Sequence, residues 1–205
     1  MKNMKKISVK TVVICVVILI CAYFYAYIDK MHPLFDPDVP TSEYISTGVL
    51  YDGTIEQTFT MKENMLDGMY VKCQIADQAD DVEIMYELVD MESDQIVAKG
   101  SMPGSKLKNN QFTKLRFEET IENCNGKTYT FILQEKGASE LKGVGFFYEL
   151  KQEKGTEMSL RGEKTDGTMI AKTMSHRFDL ETFIVLMGFI AFIGIFFRIL
   201  YNLFK

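Results

Sequence analysis

Two apolar blocks without a charge, one near each end of the chain, constrain this sequence more than anything else in it. The first covers residues 11–28, TVVICVVILICAYFYAYI. As a helix it would reach about 27 Å, close to the ~30 Å hydrocarbon core of a bilayer. Ten of its residues are Val, Ile, Leu or Phe; at roughly −0.3 to −0.6 kcal/mol each they favour insertion by about 3–6 kcal/mol. No A-x-A site follows, and the run is longer than a usual signal core. Nor does a small residue precede either cysteine, since Ile14 stands before Cys15 and Ile20 before Cys21. The block therefore reads as an uncleaved anchor. The second block, residues 182–200, is uncharged until Arg198, whose long stem can snorkel to the headgroups.

The flanks orient both spans. Lys2, Lys5, Lys6 and Lys10 precede the first, while Arg198 and Lys205 close the second. Under the positive-inside rule both termini are cytoplasmic and the intervening domain is extracytoplasmic, a two-pass arrangement in the bilayer. Tyr23, Tyr25 and Tyr27 cluster at the outer end of the first span, where an aromatic belt belongs. Of the formal charge of −5, the first ten residues carry +4 and residues 182–205 carry +2, so the segment between them holds −11. Such a segment gets no electrostatic help in binding nucleic acid or anionic lipid.

Between the spans the pattern changes to period two. Pro33, Pro37 and Pro40 mark residues 29–43 as an extended stalk. Alternation then recurs in Ile55, Gln57, Phe59, Met61; in Met69, Val71, Cys73, Ile75; and in Val82, Ile84, Tyr86, Leu88. Tyr129, Phe131, Leu133 and Val144, Phe146, Tyr148, Leu150 continue it, with shorter candidates at 95–99, 112–117, 156–160 and 168–173. Turn signals at Asp67-Gly68, Asp80-Asp81, Pro103-Gly104, Asn125-Gly126 and Asp166-Gly167 separate the runs. Strands at this spacing, without a soluble helix, predict a mainly β protein. Its domain is an antiparallel β-sandwich of jelly-roll or Greek-key type, flanked by two transmembrane helices. The expected organisation is a cytoplasmic 1–10, a span at 11–28, the stalk at 29–43 and the sandwich at 44–174. A linker at 175–181, a span at 182–200 and a cytoplasmic 201–205 complete it.

Four segments carry a resemblance: Ile55-Glu-Gln-Thr-Phe59, Leu66-Asp-Gly-Met69, Tyr86-Glu-Leu-Val-Asp90 and Asn125-Gly-Lys-Thr-Tyr129. Over residues 50–172 the chain resembles external β-sandwiches of bacterial polytopic membrane proteins of cell-surface polysaccharide assembly, glycosyltransferases among them. The resemblance implies a carbohydrate-binding or transferase-binding role in the bacterial cell envelope. Partners would be a surface glycan or a membrane protein of polysaccharide assembly. The many membrane helices that carry catalysis in such enzymes are absent from this sequence, so transferase activity does not carry over.

The residues themselves show no catalytic constellation. His32 and His176 each lie a few residues outside a span, where Asp29, Asp36 or Asp179 would complete a metal set, yet no short fixed spacing supports one. HExxH is missing, and no histidine falls within the alternating runs. Asp77, Asp80, Asp81 and Asp90-x-Glu92-x-Asp94 sit at expected turns; a structural Ca²⁺ is one reading, ordinary turn acids the other. Cys73 and Cys124 share a disulfide-permissive compartment, and the sequence leaves open whether they bridge. If the alternation is in phase, Tyr70, Met85, Ile132 and Phe147 point away from the core and offer a binding surface. Gly188, Ala191 and Gly194 recur every three residues, which suits close helix packing in lipid.

Overall fold

A computed structural model describes residues 9–205, which divide into two compact units. One is Met31–Ser175; the other joins the described residues up to Lys30 with His176–Lys205. Lys2, Lys5 and Lys6, and with them most of the expected cytoplasmic 1–10, lie outside the described residues. The chain runs α1 Val9–Tyr25, β1 Tyr27–Pro33, β2 Ile45–Val49, β3 Thr54–Thr60, β4 Met65–Ala76 and β5 Glu83–Asp90. It continues with β6 Gln95–Pro103, β7 Phe112–Glu122, β8 Thr128–Lys136, β9 Gly143–Glu149 and β10 Glu157–Leu160. The last elements are β11 Glu163–Thr165, β12 Thr168–Met169, β13 Ala171–Phe178 and α2 Leu180–Leu203.

The strands form two open antiparallel sheets. The first is ordered β1-β13-β4-β9-β12, with β2 also on β9 and β7 on β4; the second is ordered β11-β10-β3-β8-β5-β6. Both sheets bury side chains in one shared core. Met69, Val71 and Cys73 of β4, Leu115 and Phe117 of β7, and Phe146 of β9 enter it from the first sheet. Ile55 and Phe59 of β3, Ile84, Tyr86 and Leu88 of β5, and Phe131 and Leu133 of β8 enter it from the second. Apart from Leu115 and Phe117, to which the period-two reading gave no phase, these belong to its inward sets; of those sets Leu150 is exposed, just beyond β9.

Two glycines make close approaches that no other residue allows. A Cβ at Gly68 would lie 2.1 Å from the Leu115 carbonyl oxygen, at the point where β4 and β7 shift register. Asp67-Gly68, expected as a turn, is thus a bulge inside a 12-residue strand. At Gly100 a Cβ would stand 2.5 Å from the Tyr86 ring. That space lets Tyr86 of the second sheet donate its hydroxyl to the Arg116 carbonyl of the first at 2.5 Å.

Several expectations change. The first apolar block is helical only to Tyr25; the chain enters β1 at Tyr27, because pairing with β13 offers its backbone another ladder. At 17 residues α1 is shorter than the expected span. Residues 29–43 are not a free stalk, since β1 takes the first part and Phe35 is buried. Likewise β13 occupies much of the expected 175–181 linker. Both histidines therefore lie on strands, His32 on β1 and His176 on β13, against the expectation that none would.

In the helical unit, α2 is long and apolar enough to cross a membrane, and none of its residues is buried. An aromatic collar surrounds its start: Tyr23 stacks on Phe178 at 5.3 Å, Tyr27 lies 6.1 Å from the same ring, and Phe178 lies 5.5 Å from Phe183. Asp179 caps α2 by accepting from the Thr182 amide at 3.0 Å and the Thr182 hydroxyl at 2.7 Å. Those bonds, with Lys30 at 3.3 Å, hold its carboxyl at about 2. A depressed carboxylate stabilises above its unfolded pKa and loses that contribution as pH falls through the folded value. We expect Asp179→Ala to speed amide exchange at Thr182 and Phe183 severalfold at pH 6, through loss of the cap. The difference from wild type should fade toward pH 2. Equal exchange at pH 6 would remove the cap from the account.

Candidate functional site

Strand β4 puts Met69, Val71 and Cys73 into the core and so turns Tyr70 and Lys72 to the opposite face. Its neighbours continue the pattern. Tyr70 stands opposite Lys114 of β7 on one side and Lys172 of β13 on the other, and Lys72 stands opposite Phe112. The outer face of the first sheet is consequently a lattice of rings and ammonium groups. Lys172 Nζ lies 4.4 Å from the Phe112 centroid, and Lys72 Nζ lies 5.0 Å from Tyr44 and 5.6 Å from Phe147. Lys114 Nζ lies 5.8 Å from Tyr70. Each distance is within reach of the ring quadrupole, worth about 0.5–1 kcal/mol at such half-exposed positions.

One end of this face is closed by the chain itself. Phe35, 6 % exposed, stacks on Phe112 at 6.1 Å and meets Tyr44 edge-on at 6.0 Å. Beneath the same segment Glu149, 1 % exposed, accepts from the Asp36 amide at 3.0 Å. Burial pushes its carboxyl above the usual glutamate range, and the nearby Glu153 and Asp36 charges push the same way. Lys151 bridges Asp36 at 2.8 Å and Glu153 at 2.7 Å and is raised by both bonds. Tyr70, Lys72, Phe112, Lys114, Phe147 and Lys172 all stay half-buried, with their edges open to solvent.

The four residues expected to form an outward surface do not meet. Tyr70 and Phe147 belong to the first sheet; Met85 and Ile132 lie on β5 and β8 of the second. Alternation settles which way a side chain points from its strand, but not which sheet the strand joins. The outer face of the second sheet has another chemistry: Glu87 is opposite Ile132, Thr58 and Thr130 share a hydrogen bond at 2.9 Å, and Glu56 and Glu83 stand nearby in the ladder. Sequence reasoning missed Tyr44, Phe112 and the lysines. The available signal was an aromatic and a lysine two residues apart, in Tyr70-x-Lys72 and again in Phe112-x-Lys114.

Cys73 and Cys124, which the sequence left open as a pair, are both buried free thiols in this structure. Cys73 Sγ lies 3.6 Å from the Thr113 hydroxyl, whereas Cys124 Sγ lies 3.4 Å from the Glu63 carbonyl oxygen. Burial raises both thiol pKa values. The histidines are engaged separately, His32 with Glu63 at 2.8 Å and His176 with Asp29 at 2.7 Å. Asp90 accepts from the Glu92 and Ser93 amides at 2.8 and 3.3 Å, the work of a turn acid. Among the described residues no three His, Cys, Asp or Glu side chains gather as a metal site. On α2, Gly188, Ala191 and Gly194 are exposed, and a Cβ at either glycine would meet nothing within 4 Å. Compared with known proteins, the chain matches no family model and no curated sequence.

Proposed function

We propose that this chain is a non-catalytic membrane accessory protein of bacterial surface polysaccharide assembly. In this reading α1 and α2 both anchor it, its termini are cytoplasmic, and its two sheets form an extracytoplasmic β-sandwich. The sandwich binds glycan or a membrane glycosyltransferase and requires no cofactor. The observation that carries the binding role is the lysine-interleaved aromatic face around Tyr70, Lys72, Phe112 and Phe147. Half-exposed rings stack on sugar faces or anchor a partner, and the ammonium groups supply polar contacts between them. The pathway rests on the resemblance of residues 50–172.

A structural adaptor without carbohydrate contact is the second reading. It is favoured by the open space beside Gly188 and Gly194, which suits close approach of another membrane helix.

The test uses the full-length protein in detergent micelles and immobilised surface polysaccharide from the source bacterium. Tyr70→Ala and Phe147→Ala should each weaken capture by roughly thirtyfold, about 2 kcal/mol, while thermal unfolding stays close to wild type. Undiminished capture by both variants would reject this face as the site. If wild type also fails to bind the polysaccharide, the adaptor reading takes its place.

A further inference from the structure

The Met31–Ser175 unit contains 25 Asp and Glu against 15 Lys and Arg, so a surface region without acids stands out. One exists at a cleft of about 290 Å³ that shares no lining residue with the aromatic face. Its walls come from both sheets: His32 and Leu34 at the end of β1, Phe59 and Thr60 of β3, and the turn that leads into β10. Phe59, 1 % exposed, and the half-buried Leu34 make the floor apolar. At the rim stand the exposed Lys62 and Lys154, and among the described residues no Asp or Glu lines the cleft.

The acids nearest in sequence are each paired, Glu63 with a histidine of the cleft wall itself. Glu63 pairs with His32 at 2.8 Å, Glu153 with Lys151 at 2.7 Å and Glu157 with Lys164 at 3.3 Å. Neither Lys62 nor Lys154 makes an ion pair among the described residues. The turn itself is fixed: the Thr156 amide and hydroxyl both donate to the Glu153 carbonyl, at 3.1 and 2.9 Å, and Gly155 takes a positive φ of 80°. Lys154 is thus carried on an ordered turn.

Two cations over an apolar floor, with hydroxyls in the wall, match a small molecule bearing one anionic group on a compact ring. The volume equals that of about ten water molecules, which is the scale of a single sugar unit rather than of a chain. We propose that this cleft binds a monosaccharide-sized anion, its phosphate or carboxylate held by Lys62 and Lys154 and its ring resting on the apolar floor at Leu34. This site is independent of the aromatic face.

Binding is measured by isothermal titration of the full-length protein in detergent micelles with glucose 1-phosphate, glucuronate, glucose and inorganic phosphate. Glucose 1-phosphate and glucuronate represent the two anionic groups, and at least one should bind saturably. Glucose should bind at least tenfold more weakly. The double variant Lys62→Gln/Lys154→Gln should weaken binding at least tenfold, while the charge-matched control Lys106→Gln/Lys108→Gln should stay within twofold of wild type. Binding unchanged in the double variant, or equal for glucose, overturns the proposal. So does inorganic phosphate binding as tightly as glucose 1-phosphate, which would mean an adventitious ion only, and so does the absence of binding by both anionic sugars.

Discussion

Truncating Phe131 to alanine is expected to destabilise the protein by about 3–5 kcal/mol, the usual range for a fully enclosed Phe. The ring is 0 % exposed on the central strand β8. It meets Phe117 of the other sheet edge-on at 6.2 Å and Tyr86 at 6.3 Å. Removing it opens a void that backbone on either side cannot close, because both strands are pinned by neighbours along their length. Phe146→Ala should behave alike, since that ring is also 0 % exposed. Phe147, one residue on and half-exposed, should lose well under about 1 kcal/mol when truncated, about the worth of its contact with Lys72. The chain has no Trp, so denaturant unfolding is followed by near-ultraviolet circular dichroism of its 10 Tyr. A Phe131→Ala midpoint within the error of wild type would contradict the shared core.

Gln57 is the second position where a large effect is expected. It sits on the inward phase of β3 and is 0 % exposed, yet all its polar atoms are used. Its Oε1 accepts from the Met169 amide at 2.7 Å, and its Nε2 donates to the Thr58 and Glu157 carbonyls at 3.0 Å each. One amide thus ties β3 and β10 of the second sheet to β12 of the first. Gln57→Leu keeps the volume but leaves the buried Met169 N–H without an acceptor and two carbonyls short of a donor. At about 1–3 kcal/mol for each buried group left unmade, a loss of about 2–4 kcal/mol follows. Gln57→Glu should add a pH dependence. The new carboxyl, buried and facing two carbonyl oxygens, would titrate above its unfolded value, so the variant should lose stability as pH rises past the ordinary glutamate range. Unfolding midpoints at pH 4 and pH 7 measure it; a leucine variant as stable as wild type would show that the cross-sheet amide contributes nothing net.

Gln57 also marks how far the sequence can be read. Its place in the set Ile55, Gln57, Phe59, Met61 was legible, because period two assigns a face whatever the residue type. Its partner Met169 was not, being over a hundred residues away on a strand of two residues. The same division holds at the aromatic face. The outward phase of Tyr70 and Phe147 follows from local alternation, whereas Phe112, Tyr44 and Lys172 reach them only through the β7, β2 and β13 pairings or the fold of the preceding segment.

By itself the sequence determined what depends on near neighbours along the chain: the strand-rich middle, the inward and outward phases, the apolar α2 and the Asn125-Gly126 turn. Each is fixed by dihedral preference and by burial of one face, which act over a few residues. Only the tertiary structure decided the end of α1 at Tyr25, the use of residues 27–33 as a strand, the separation of Cys73 from Cys124, and the placing of Met85 and Ile132 away from Tyr70. Those outcomes turn on which strand finds which partner. Backbone hydrogen bonds are nearly alike in every antiparallel pairing, so the choice falls to side chains distant in sequence that fill one core together.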